Sequence, residues 1–259
     1  MRPAFHATDW SVNQFQITLC IRPISARTSP VSGERTVALP DPAPPDQAAA
    51  DSRPPRTRSR EVRRSQLIEA TIETMAARGF ARTTLTEVAR MAGLSHGLVL
   101  FHFETKEKLL AETLAYLAEE YRRNWQDALA AAGDDPAAQL AALIEADFAP
   151  GICTPARLAA WCAFWGEAQS RPMYQESYGD KDEEYIRALE AICARLNEAG
   201  GYGHDVPRIA RILRLTIEGA WLDLMTMARP YTVSEARDTA RAAAGLCFPR
   251  HFPAGRRSG

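Results

Sequence analysis

The sequence predicts an all-α fold: a small N-terminal helical unit, a larger helical body, and an unstructured extension in front. Three observations carry this. From about residue 59 onward alanine, leucine, glutamate and arginine dominate, and β-branched runs are scarce. Capping residues recur at the starts of apolar-periodic segments. The charge is uneven. Residues 53–108 hold eleven Lys/Arg against six Asp/Glu, a balance of +5, although the whole chain is at −1. A basic segment on an acidic body points to one part that meets a polyanion.

The elements follow in order. Residues 1–58 are rich in proline, alanine and arginine and read as disordered linker. Within them Trp10–Ile21 alternates weakly, but a strand without a partner is marginal. A first helix over Arg60–Arg78 carries Leu67, Ile68, Thr71, Ile72 and Met75 on one stripe and stops at Gly79. Thr84 and Glu87 have the spacing of a capping box, so a second helix begins at Leu85 and ends at Gly93. Ser95 caps a third, short helix and Thr105 a long fourth. Further helices are expected over Pro136–Ala149, Pro155–Ser170, about Lys181–Ala199, Val206–Ala228 and Ser234–Leu246. Proline stands at or near several of these starts, where its missing N–H costs nothing. Residues 59–108 thus make one unit, 109–248 a second, and 249–259 a disordered tail.

Some classes fall away. The cysteines number five, without a C-x-x-C pair, so a disulfide framework or a structural zinc is not expected and a cytoplasmic setting is. There is no run of about 20 apolar residues to span a bilayer. The body has no H-E-x-x-H, G-x-S-x-G or glycine-rich phosphate loop, so neither an enzyme nor a cofactor is expected.

The second and third helices, joined by a three-residue turn with Gly93, form a helix-turn-helix braced by the first helix. Gly93 permits the positive φ of the turn. Ser95 leaves the next helix's N-terminal N–H groups facing outward, ready for a phosphate. Charge and shape together make residues 59–108 a DNA-binding module.

The stretch "RRSQLIEATIETMAARGFARTTLTEVARMAGLSHGLVLFHFETKEKLLAETL" resembles the DNA-binding domain of the TetR family of bacterial regulators, over about fifty residues without a gap. The Gly-Phe before the second helix, the T-x-x-E-V-A-x-x-A-G-L-S turn and the H-F-x-x-K-E-x-L-L exit carry the likeness. More loosely, "WCAFWGEAQSRPMY", "RALEAICARL" and "IARILRLTIEGAWLDLMTM" resemble the BetI-type C-terminal body. The resemblance implies an all-helical homodimer that represses transcription until a small molecule binds the body. It implies DNA contacts at Arg64, Thr84, Ser95, His96, Gly97, Leu98, His102 and Lys106. His96 is expected in the major groove, and Gly97 where the backbone approaches DNA closely. Leu100 departs from the pattern: many relatives have a phosphate-reaching tyrosine there, and leucine cannot donate. Val99 and Phe103 read as core, and Phe101 as lying against the sugar-phosphate wall. The arginines at 53, 56, 58, 60, 63 and 64 read equally as a solvated linker or as a minor-groove or phosphate arm.

In the body, Trp161, Phe164, Trp165, Tyr174, Tyr178 and Trp221 are candidate ligand-binding aromatics. Trp161 and Trp165 share a helix face at i, i+4. With Glu167 and Glu218 they suggest a cage for a cationic effector; a nucleobase-like effector is also compatible. The helix from Val206 is apolar on nearly all sides, so it needs cover on more than one. Leu213, Ile217, Gly219, Ala220 and Leu224 are the candidate dimer contacts, in a four-helix bundle with the last helix and its symmetry mates. The expected function is a ligand-responsive transcriptional regulator, read as a repressor on a palindromic operator. The rival class is a structural or protein-interaction module that keeps the fold without specific DNA binding.

Overall fold

The computed structural model describes residues 56–167 and 172–253, with side chains over 59–167 and 182–253. The Trp10–Ile21 stretch, Cys20, Arg53 and residues 254–259 lie outside the described residues, as do the side chains of Arg56, Arg58, Tyr174 and Tyr178.

All regular elements among the described residues are helices: α1 (Arg56–Arg78), α2 (Leu85–Ala92), α3 (His96–Phe103), α4 (Lys106–Ala132), α5 (Pro136–Asp147), α6 (Pro155–Glu167), α7 (Pro172–Gly200), α8 (Val206–Thr226) and α9 (Val233–Cys247). Their starts are set locally. Thr84, Ser95 and Thr105 each accept a hydrogen bond from the backbone N–H three residues on. Asp135 and Asp205 cap α5 and α8 ahead of a first-turn proline. The capping box expected at Thr84 is only half made. Thr84 accepts from the Glu87 N–H, but the Glu87 carboxylate pairs with Arg78 at 3.0 Å and Arg90 at 2.9 Å. Two guanidiniums within reach outcompete one backbone amide for that charge. The complete box is at Thr232 and Glu235, opening α9.

Two helices start earlier than their sequence pattern suggests. α1 begins at Arg56 and α7 at Pro172. Residues 248–253 fold back after α9: the His251 and Phe252 N–H groups bond the Phe248 carbonyl, and Tyr202 Oη lies 2.9 Å from His251 Nδ1.

α4 is the spine. Leu109, Leu110, Leu114, Leu117 and Trp125 are buried along it, against α1, α5 and α7. α8 and α9 pack on each other, and α7 and α6 lie against α8. α1 packs on α2, α4 and α6, so the N-terminal unit rests directly on the body. Each fully buried Leu, Ile or Phe adds about 1.5–3 kcal/mol. Thr71, a polar member of the α1 stripe, returns its hydroxyl to the Leu67 carbonyl at 2.8 Å and so is buried without cost to its donor. Cys153, Cys193 and Cys247 are buried with free thiols, and burial pushes the Cys193 thiol up to about 12.

Candidate functional site

Gly93 takes φ 65°, and its N–H reaches back to α2, which turns the chain into α3 within three residues. Val99 and Phe103 then enter the core, and His96, Gly97, Leu100 and Phe101 form the outward stripe of α3. His96 Nδ1 lies 3.4 Å from the Thr86 hydroxyl, so α2 and α3 share this surface. A Cβ at Gly97 would meet nothing within 4 Å, so packing inside the protein does not require glycine there. Thr84 and Ser95 are exposed caps, and Leu98 is half-buried. Gly93 to Gly97 reads G-L-S-H-G, the spacing of a nucleophile elbow. That elbow joins a strand to a helix. Here the turn lies between two helices, and Ser95 Oγ accepts the Leu98 N–H.

Three of the expected DNA contacts are engaged within the head. Arg64 donates to the His102 carbonyl at 3.2 Å, pairs with Glu112 and lies 4.9 Å from the Phe103 ring centroid. Lys106 Nζ is 3.5 Å from the Ala81 carbonyl and 5.7 Å from the Phe80 ring. His102 is turned inward at 8% exposure. Its burial, then the charges of Arg60 and Arg64, hold its pKa below the usual histidine value. So placed, the imidazole packs beside the Phe101 and Phe103 rings. The side chains free to face outward are instead His96, Leu100 and Phe101.

In the body, α4, α6, α7 and α8 close on a cavity of about 20 Å³. That is room for roughly one water molecule. Its walls are aromatic. Trp165 and Trp221 are stacked, with centroids 6.4 Å apart and planes 10° apart. Tyr121 meets Trp161 and Trp221 edge-on at 6.4 and 5.8 Å. Asp182 and Glu218 also line it, and Glu218 pairs with Arg214 at 2.6 Å. Below the aromatics Asp147 is wholly buried at the end of α5. Tyr121 and Tyr185 donate to its two oxygens at 2.7 and 2.8 Å, and Trp221 Nε1 donates to its carbonyl at 3.1 Å. Desolvation pushes the Asp147 carboxyl up to about 7; the tyrosine hydrogen bonds oppose this and Glu218 adds to it.

The structure thus brings Trp161, Trp165 and Trp221 together and sends Phe164 elsewhere. Phe164 is buried and meets Phe80, in the turn before α2, edge-on at 6.1 Å. Sequence reasoning misses Tyr121, Tyr185 and Asp147, and also Arg157. Arg157, one turn before Trp161, bonds Glu120 at 2.6 and 2.8 Å and Glu69 of α1 at 3.0 Å. On α8, Leu213, Ile217, Ala220 and Trp221 face the protein's own core. The outer stripe is Ile212, Leu215, Gly219 and Leu222, with Leu224 half-buried between. Leu213, Ile217 and Ala220 therefore stabilise the protomer itself, because the apolar face of α8 nearest α7 and α9 is the one that is covered.

A helix-turn-helix head packed directly on a helical body with an aromatic cavity is the architecture of a ligand-responsive, DNA-binding transcriptional regulator. The family model for bacterial regulatory proteins of the tetR family matches residues 67–113. That for the BetI-type transcriptional repressor, C-terminal, matches residues 136–248. The chain is 30% identical over 190 residues to the HTH-type transcriptional regulator BetI of Paraburkholderia phymatum, covering 70% of this chain and 91% of that one. To the BetI of Stenotrophomonas maltophilia it is 32% identical over 162 residues, covering 62% and 80%. A solved structure from Pseudomonas aeruginosa PAO1, described as a transcriptional regulator, matches with TM-score 0.63 and 28% identity, covering 74% and 93%. A Saccharomonospora viridis regulator solved in complex with choline shares the fold, with TM-score 0.58 and 19% identity over 70% and 95%. The chain belongs to the TetR family of bacterial transcriptional regulators and carries a BetI-type C-terminal domain. No described helix is long and apolar enough to cross a membrane.

Proposed function

We propose that the protein is a cytoplasmic homodimeric repressor of a palindromic operator, released by a small organic cation that enters the aromatic cavity. Residues 59–108 read DNA, and residues 109–248 bind effector and dimerise. The observation that carries this is α6. It lends Trp161 and Trp165 to the cavity and Arg157 and Phe164 to the head, so a guest in the cavity moves an element the head rests on. α4 is the second lever: it starts at the head and contributes Tyr121 to the same wall. The aromatic faces and Asp182 suit a desolvated cation, while Glu218 on the same wall is paired with Arg214. The fold relative from Saccharomonospora viridis was solved with choline, a guest of that chemistry. At about 20 Å³ the cavity must open to admit such a guest, so the ligand selects a different packing of α6. A nucleobase-like ring is the second reading, favoured by the parallel Trp165 and Trp221 planes.

The dimer face is the outer stripe of α8 with α9, where Ile212, Leu215, Leu222 and Leu246 are exposed. A two-fold axis there sets the two α3 helices one DNA turn apart, about 34–36 Å.

The test is titration of the full chain on its own upstream DNA, with choline and with adenine as probes. Release by choline is expected to weaken operator binding about 5- to 150-fold, the range of typical couplings. Trp165→Ala should keep DNA binding and lose release. Equal release from wild type and Trp165→Ala would put the effector elsewhere, and sedimentation of the wild type as a monomer would remove the dimer.

A further inference from the structure

The outward stripe of α3 has an unusual chemistry for a surface that meets a polyanion. Leu100 is 40% exposed and Phe101 65%, and His96 is the one exposed polar side chain of α3 itself. Gly97 adds no side chain, and a Cβ there would meet nothing within 4 Å, so this face is low at its N-terminal end. Phe101 is held in place: the Arg60 guanidinium lies 5.5 Å from its ring centroid and the His102 ring meets it edge-on at 5.3 Å. Leu100 carries no donor or acceptor. Neither side chain can hydrogen-bond a base edge or a phosphate.

The major groove offers one apolar group, the C5-methyl of thymine; its other base-edge features are donors and acceptors. An apolar side chain pressed against guanine O6 or cytosine N4 strips water from a polar atom and returns nothing. Against a thymine methyl it buries apolar surface on both partners. We propose that Leu100 and Phe101 read thymine methyl groups, so that each operator half-site places thymines under the C-terminal half of α3. This rests on α3 being the helix that enters the major groove. It assigns base discrimination to two residues whose place in the family pattern suggests at most backbone contact.

The experiment uses the full chain and duplexes that it selects from a random-sequence pool. In the selected duplex each thymine is replaced in turn by deoxyuridine, which removes the methyl and leaves every hydrogen-bonding group. Wild-type affinity should fall about fourfold at each contacted methyl. Leu100→Ala and Phe101→Ala are surface changes that keep the fold, checked by circular dichroism. Each should bind the thymine and deoxyuridine duplexes alike at its own position. Wild-type affinity indifferent to every deoxyuridine, with Leu100→Ala weakening all duplexes equally, overturns the proposal and puts these side chains on the sugar-phosphate wall. Failure to select any duplex at low salt removes the DNA-reading role of the head itself, and this inference with it.

Discussion

His96, Leu100 and Phe101 on α3 face solvent, whereas Trp161, Trp221, Tyr185 and Asp147 in the body are at most 4% exposed. The outward contacts His96, Leu100 and Phe101 sit on a finished framework of Val88, Val99 and Phe103, while Ser95 caps α3 and Arg64 ties its end. In the body the candidate contacts are the framework. Trp221 packs on Tyr121 and Trp165 and anchors the end of α5 through Asp147. Recognition and stability are therefore separable in the head and joined in the body. A surface site can change its sequence preference freely, while an interior site can change its ligand only by repacking its core.

Substitution of Trp221 probes the joined case with the largest expected effect. Trp221→Ala removes a buried indole and leaves the Asp147 carbonyl without its 3.1 Å donor. A large-to-small change of this kind costs about 3–5 kcal/mol. Phe101→Ala, on the exposed stripe, should stay within about 0.5 kcal/mol of wild type. Urea midpoints of the two variants read the contrast directly. A Trp221→Ala protein as stable as Phe101→Ala would mean that the cavity wall is not part of the core.

Asp147 sharpens the comparison through pH. Its folded pKa is raised to about 7 by desolvation, then adjusted by Tyr121, Tyr185 and Glu218. The folded state thus keeps a proton that the unfolded state has released. Stability should fall as pH rises from about 4 to about 7 and level off above, the reverse of a salt-bridged aspartate. The ceiling on this loss is about 4 kcal/mol. Asp147→Asn keeps the shape and cannot ionise, so its stability minus that of the wild type should grow across that window. A constant difference between pH 5 and pH 8 would show that Asp147 titrates as an ordinary carboxylate.

The same contrast explains what the sequence reveals. The caps at Thr84, Ser95 and Thr105 are legible because a cap is a three-residue interaction. α3 is legible as a surface element because it is short and follows a glycine turn. α8 is apolar on two stripes, and nothing local says which one is inward, so Leu213 and Leu215 look alike until α7 and α9 cover one of them. Asp147 reads as a helix-end acid. Its tyrosine donors lie 26 and 38 residues away, on α4 and α7, so only tertiary packing makes the site. Lys106 and Arg64 match a DNA-contact pattern in sequence, and only the folded head shows that each also reaches a backbone carbonyl, of Ala81 and of His102.

The smallest expected effect lies at the boundary between the two regions. Glu69 on α1 receives Arg157 of α6 at 3.0 Å and the Tyr116 hydroxyl at 2.8 Å, and is otherwise half-exposed. Removing Arg157 would be a poor probe, because Glu69 and Glu120 would lose their shared cation together. Glu69→Gln keeps the side chain's size and its acceptor while removing one charge; Arg157 retains both bonds to Glu120. Partly exposed ion pairs contribute about 0–1 kcal/mol, so thermal stability should barely change. Coupling is a different quantity. If α6 carries the effector's signal to α1, weakening that one contact lets α6 move without the head following. The ratio of operator affinities without and with effector should then shrink by about 0.5–2 kcal/mol, or 2- to 30-fold. Calorimetric titration of effector into protein with and without operator reads the same ratio from the other side, since the coupling is reciprocal. A Glu69→Gln protein with wild-type coupling would make the Glu69–Arg157 contact simple adhesion and leave α4 to transmit the signal through Tyr121.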